Sequence, residues 1–186
     1  MSTEVGPGVG GIHFHVEFCK HRAVFQSQYQ RAHKVKVIRC FPHCCPCHVA
    51  HRYCGMPLLL VTTLTSAQPL EQVVSLLKIA PADHESWAIG DEIPPQDLRT
   101  LEADPDATWY LGQQELRDDS AVGSLFNQSL VDGWTYGWKS GRSQSVRDGL
   151  HHATGFVFLV SPSCQWRLVA KVVSPGFTVA TYRNRG

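Results

Sequence analysis

The sequence predicts an α/β fold in which helices flank a mixed central sheet. Short apolar runs that end at Gly, Pro or Asp alternate with stretches whose apolar residues recur at helical spacing. Two longer apolar runs near the C-terminal end, joined by SPSCQ, favour an antiparallel hairpin. With 186 residues, of which 43% are hydrophobic, the chain is long enough to bury one core.

The first half of the chain contains three predicted strands. Residues 12–18, IHFHVEF, alternate in polarity, which places His13 and His15 on one face because side chains repeat every second residue along a strand. VKVIR, 35–39, is a short β-branched run, and MPLLLVTTL, 56–64, is a more apolar one.

Three helices are predicted between and after these strands. In the first, which opens at Pro69, Leu70 and the apolar residues after it, through Leu77, follow the i, i+3, i+4, i+7 pattern. The second starts at 95 or 96, after two prolines. The third starts at Asp119, an N-cap candidate, and reaches Leu130.

The remaining elements are predicted to be strands around one loop. SWAIG, 86–90, and ATWYLG, 107–112, are short strand candidates, and the Gly- and Ser-rich residues 133–149 favour a loop. GFVFLV, 155–160, and WRLVAKVV, 166–173, form the hairpin. FTVATY, which ends at Tyr182, is an edge-strand candidate.

Charge, cysteine and histidine are unevenly distributed. Residues 1–54 carry seven Lys/Arg against two Glu, whereas residues 55–186 carry ten against fourteen Asp/Glu. Six of the seven cysteines and seven of the ten histidines also lie in the first part. We therefore divide the chain into a flexible or accessory segment, 1–33, and a domain, 34–186, that contains a Cys/His cluster at 40–54.

The odd, clustered cysteine count argues against a secreted disulfide scaffold. The first twenty residues lack a basic region followed by an apolar run, so no signal peptide is predicted. No apolar run approaches the roughly 20 residues that cross a bilayer. The sequence favours a soluble, intracellular protein without a membrane span.

The cluster RCFPHCCPCHVAHRYC, 39–54, suits a transition-metal site, because thiolate and imidazole are the ligands that zinc and copper prefer. Cys44 and Cys47 form one half-site. Two of the side chains His48, His51 and Cys54 form the other. The pair Cys19 and His21 offers a remote half-site. The predicted ligands within the cluster are Cys40, Cys44, Cys47, His48, His51 and Cys54.

The same spacing also suits a redox-active dithiol. A C-x-x-C pair that follows a strand and opens a helix contains one thiol of lowered pKa. Cys44 is then the attacking thiol and Cys47 the resolving one, with His43 or His48 favouring the thiolate. Spacing alone does not distinguish a metal site from a redox site. A third alternative is that the cysteines have no chemical role.

The element order strand, C-x-P-C, helix, strand, helix, strand, helix, hairpin resembles the thioredoxin-like fold. Within that fold, TWYLGQQELRDDSAVGSLF and HHATGFVFLVSP look like the counterparts of motifs in the SCO/SenC group of copper-delivery proteins. The resemblance covers roughly residues 35–173. It implies that two thiolates and His151 or His152 bind copper, with dithiol-disulfide exchange or copper delivery as the function.

A third class of function is a binding module without catalysis. A basic segment stiffened by zinc would contact a protein partner or the phosphates of a nucleic acid. The candidate contacts are Lys34, Lys36, Arg39 and Arg52, with His33 nearby.

Overall fold

The computed structural model describes residues 1–17, 19, 21, 23–43, 55–66, 69–84, 86–94, 104, 106–128, 133–139 and 143–182. Within them the chain forms fourteen β-strands and one short helix, α1, at Gln144–Arg147. The strands are β1 Ser2–Val5, β2 Val9–His15, β3 Gln28–Ala32, β4 Val37–Arg39, β5 Leu58–Leu64, β6 Val73–Pro81, β7 Glu92–Ile93, β8 Thr108–Leu111, β9 Gln113–Asp118, β10 Ala121–Phe126, β11 Trp134–Thr135, β12 His151–Val160, β13 Trp166–Val173 and β14 Thr178–Tyr182.

The strands form three sheets. Sheet A has the order β1-β13-β12-β6-β8, with β7 paired to β13, and sheet B has the order β2-β5-β10-β9. Sheet C has the order β11-β4-β3-β14. All pairs are antiparallel except β14 and β3, which run parallel with Thr178 opposite Gln28.

Sheets A and B pack face to face around the main core. A Cβ atom on Gly155 of β12 would lie 3.1 Å from side-chain atoms of Leu60 on β5 and Phe14 on β2. The buried hydroxyl groups of Ser124 and Ser75, 2.8 Å apart, join β10 to β6. The absence of a side chain at position 155 thus lets the two sheets approach closely.

Sheet C adds aromatic side chains to the same core. Phe41, which follows β4, packs against Trp134 at 5.0 Å and Phe177 at 5.8 Å between ring centroids. Tyr29 of β3 packs against Phe177 at 5.0 Å. These four side chains are all buried, so the segment after β4 is anchored in the core.

The predicted α/β, thioredoxin-like fold with flanking helices is wrong, because the described structure is mostly β with three sheets rich in antiparallel pairs. The first predicted helix is a single 3₁₀ turn, Leu70–Gln72, followed by β6. β6 lies between β12 and β8 and is apolar on both faces, since one face meets sheet B and the other a second cluster around Phe156. A strand buried on both sides satisfies helical spacing without being a helix.

The third predicted helix is wrong for the same reason. β10 lies between β5 and β9, and five of its six residues are buried. Asp119 lies in the turn that joins β9 to β10, where Asp118 Oδ1 accepts hydrogen bonds from the Ser120 amide at 2.8 Å and the Ser120 hydroxyl at 3.0 Å. The second predicted helix, from 95 or 96, lies outside the described residues.

Most predicted strands are confirmed. β2 confirms that His13 and His15 share one face, since both are exposed and Phe14 between them is buried. β5, β8 and the β12–β13 hairpin lie where the sequence places them, and β14 is an edge strand, although it belongs to sheet C. SWAIG is not a strand, and the predicted loop at 133–149 contains β11 and α1.

Within the described part of the chain, no helix is both long and apolar enough to cross a membrane.

Candidate functional site

The two ends of the Cys/His cluster meet at one point of the fold. Phe41 and Gly55 form an isolated parallel β-bridge, and the Met56 amide donates to the Phe41 carbonyl at 3.2 Å. A Cβ atom on Gly55 would lie 2.8 Å from the Phe41 carbonyl oxygen and 2.9 Å from the Trp134 ring, so only glycine allows this approach. The connection that carries the cluster therefore leaves β4 and returns toward β5 at the same place.

The residues just before the cluster are held by Tyr29 and Gln26. The Tyr29 hydroxyl donates to the Pro42 carbonyl at 3.0 Å and accepts from the Gln26 amide at 2.8 Å. The Gln26 side chain donates to the Cys40 carbonyl at 3.2 Å. Burial raises the pKa of Tyr29 well above its usual value, so the hydroxyl stays a neutral donor. Cys40 has a positive φ of 57° and is half-buried.

Cys19 and His21 form a pair that is suited to metal binding. The distance between Cys19 Sγ and His21 Nδ1 is 3.2 Å. Tetrahedral zinc, with Zn–S near 2.3 Å and Zn–N near 2.0 Å, holds such atoms about 3.5 Å apart. The distance between Cys19 Sγ and His21 Nδ1 is thus within about 0.3 Å of the spacing of two zinc ligands.

His43 lies directly against this pair. The His21 and His43 rings stack with 4.7 Å between their centroids and 12° between their planes. His43 Nε2 lies 2.6 Å from the Ala23 carbonyl, which can only accept, so Nε2 carries the proton.

The predicted ligands fall into two groups. Cys40 and His151 lie within the described residues, and the others lie outside them. Among the described residues alone, no three Cys, His, Asp or Glu side chains are arranged to hold a metal ion. The predicted ligands outside the described residues are Cys44, Cys47, His48, His51 and Cys54.

His151 is deeply buried and belongs to the core. Its side chain is 1% exposed, its Nδ1 lies 2.7 Å from the Tyr136 hydroxyl, and its ring packs against Trp138 and Phe177. Burial, followed by the nearby charges of His152 and Arg31, lowers the pKa of His151 to about 4. These contacts and the lowered pKa describe a neutral imidazole, whose Nε2 is buried without a hydrogen-bond partner among the described residues.

A separate cavity of about 880 Å³ is lined by residues that include His84, Asp104 and His151. His84 Nε2 donates to Asp104 Oδ2 at 2.8 Å, and Lys78 Nζ lies 3.4 Å from His84 Nδ1. Burial opposes ionisation of Asp104, but the Asp106 amide and His84 lower its pKa overall. These contacts link Lys78 of β6 to the segment that follows β6 and to the segment that precedes β8.

Sequence reasoning recognised Cys19 and His21 but missed the contact with His43. The only signal that could have found it is the Cys-x-His spacing combined with the position of His43 one residue before Cys44. Lys78, His84 and Asp104 give no motif, because His84 and Asp104 are 20 positions apart in the sequence and only the fold brings them together.

Fold and site together define an antiparallel β protein with a Cys/His-rich connection between two strands. No family model matches the chain, and no curated protein or solved structure matches it either.

Proposed function

We propose that the chain is a zinc-stabilised binding module without catalysis. Its metal site is built from Cys19 and His21 and from thiolates of the segment 44–54, with His43 packed beside the pair. The observation that carries the proposal is the 3.2 Å contact between Cys19 Sγ and His21 Nδ1, which lies next to His43 at the start of the cluster. These side chains come from separate parts of the chain and meet at the base of the cluster.

The donor set favours zinc. Closed structural zinc sites use Cys and His in tetrahedral arrangements, with two half-sites separated along the chain. Cys19 and His21 supply the separated half-site that the compact cluster lacks, and Cys44 follows His43 directly. A zinc ion there would tie the segment before β3 to the connection between β4 and β5.

Copper binding has less support, because it came from a resemblance to the thioredoxin-like fold and the fold differs. Dithiol exchange between Cys44 and Cys47 remains a prediction, as does the role of Cys40 as a ligand. The role of His151 as a copper ligand also remains a prediction; its Nε2 is buried and has no hydrogen-bond partner among the described residues.

The test is elemental mass spectrometry on anaerobically purified protein, with free thiols counted in parallel. We expect about one zinc per chain, with near-complete loss in Cys19→Ser and in His21→Ala. Cys164→Ser is the matched control, since Cys164 is an exposed cysteine on the β12–β13 turn, and it should retain the metal. Stoichiometric copper, or equal zinc in Cys19→Ser and Cys164→Ser, contradicts the proposal.

A further inference from the structure

None of the described strand residues of sheet C is acidic. Residues 18–70, which supply β3 and β4, contain no Asp or Glu, and neither do residues 149–186, which supply β14. The Asp and Glu residues lie in the other parts of the sequence. A chain of formal charge +1 therefore concentrates positive potential at one sheet.

The turn between β3 and β4 presents the basic side chains of this region. His33, Lys34 and Lys36 are exposed there, and the turn is closed by a hydrogen bond from the Lys36 amide to the Ala32 carbonyl at 2.9 Å. Within the described residues, neither lysine has a carboxylate within ion-pair distance. Both charges are therefore available to an anionic partner.

Arg31 adds a buried positive charge beneath this face. It is 3% exposed and donates to the Tyr136 carbonyl at 3.1 Å, and its guanidinium lies over the Trp138 ring. Among the described side chains it has no carboxylate partner. A buried cation without a counter-ion adds to the positive potential of the sheet above it.

The face itself is polar and concave. A groove of about 380 Å³ is lined by Gln28 and Gln30 of β3, Arg39 of β4 and Ala180 of β14, among others. Glutamine and arginine side chains donate to phosphate oxygens and to base edges. The described side chains at these four positions offer hydrogen-bond donors and a positive charge, which suit a phosphate backbone.

We propose that the outer face of sheet C, with the β3–β4 turn, binds the phosphate backbone of a nucleic-acid duplex. This inference rests on the proposed function because it names the partner of the binding module. Lys34, Lys36 and Arg39 supply three phosphate contacts. Gln28 and Gln30 add hydrogen bonds along the groove.

Three contacts fix the expected salt dependence. The logarithm of the binding constant should fall with the logarithm of salt concentration with a slope of about −2.7, which is about a 40-fold loss between 50 and 200 mM salt. The experiment is fluorescence anisotropy with a labelled 20-base-pair DNA duplex and the full, metal-loaded chain. Lys34→Gln should change the slope to about −1.8.

Arg167→Gln is the matched control. Arg167 is an exposed arginine on β13 of sheet A, so its loss removes the same charge from another surface and should leave duplex binding unchanged. Circular dichroism and metal content, measured on each variant, establish that it is folded and loaded.

Three results would overturn the inference: no duplex binding at 50 mM salt by folded, metal-loaded protein; equal effects of the two substitutions; or equal binding of poly-glutamate at matched charge. Each of them leaves the metal proposal standing. A folded preparation that binds duplex with the expected slope but contains no zinc would instead contradict the proposed function and leave this surface intact.

Discussion

The imidazole of His21 lies flat on that of His43, with 4.7 Å between ring centroids, although one precedes β3 and the other follows β4. The strands β3 and β4 are paired antiparallel, with Gln30 opposite Arg39. This pairing brings the residues that follow β4 close to those that precede β3. Two histidines from the ends of one hairpin thus meet beside Cys19. Their proximity is a property of the fold, and the metal proposal depends on it.

Metal removal should destabilise the protein. At a free zinc concentration 1,000 times the dissociation constant, binding to the native state alone contributes about 4 kcal/mol to the free energy of unfolding. We expect the thermal midpoint to rise with free zinc and to fall after chelation. The measurement is a thermal melt in zinc buffers with magnesium at equal concentration as control. A midpoint that is independent of zinc would contradict a structural site.

Stability should fall at mildly acidic pH because of His151. Its pKa is about 4 in the folded protein and 6.5 when unperturbed, so the unfolded chain binds the extra proton first as pH falls. The stabilisation is present above pH 6.5 and is lost progressively toward pH 4. Between pH 7.5 and pH 5 the loss is about 2 kcal/mol.

Denaturant unfolding of His151→Gln at the two pH values isolates this effect. The variant should lose about 2 kcal/mol less than the wild-type protein over that interval, whereas His152→Gln, at the half-exposed neighbouring position, should resemble the wild type. Parallel pH profiles for wild type and His151→Gln would show that His151 is not held neutral in the core.

The close approach of sheets A and B should make position 155 intolerant of side chains. Gly155→Val places methyl groups against Leu60 and Phe14, which are buried, and should cost about 1–3 kcal/mol. Gly11→Val on β2 is the matched control, because a Cβ atom there meets no heavy atom within 4 Å. Its effect should be small. Chemical denaturation checks both, and equal losses would contradict the packing of the two sheets.

The aromatic contacts of sheet C should contribute strongly to stability. Phe177 is fully buried between Tyr29 and Phe41, so Phe177→Ala should lower the free energy of unfolding by about 3–5 kcal/mol. Leu116→Ala, at a position that is 58% exposed, should change it by no more than about 0.5 kcal/mol. A loss below about 1 kcal/mol for Phe177→Ala would place that ring outside the core.

Strands in which polar and apolar residues alternate, or which are joined by a short hairpin turn, could be predicted from the sequence. The strand β2 and the β12–β13 pair are examples. The runs at Val73–Pro81 and Ala121–Phe126 could not, because both strands are buried on two sides and an almost continuous apolar run satisfies the helical period and the strand period equally. The error in these two elements changed the fold class.

The candidate site was predictable in its chemistry and only partly in its geometry. The many Cys and His residues in 39–54 indicate a site with soft metal ligands, whatever fold the chain adopts. The contact between His43 and His21 depends on the pairing of β3 with β4 and on the Phe41–Gly55 bridge. Neither of these can be predicted from the spacing of residues in the sequence. The His84–Asp104 pair is a long-range contact of the same kind.

The parallel pairing of β14 with β3 has a consequence for biosynthesis. Thr178 pairs with Gln28, so sheet C lacks a strand until about 150 further residues have been made, long after the proposed metal ligands have left the ribosome. Until then β3 presents an open edge on which another strand can pair. An ion bound early would hold the β3–β4 hairpin closed during that interval, and metal starvation in the cell should therefore reduce the yield of folded chains more than it reduces the stability of chains already folded.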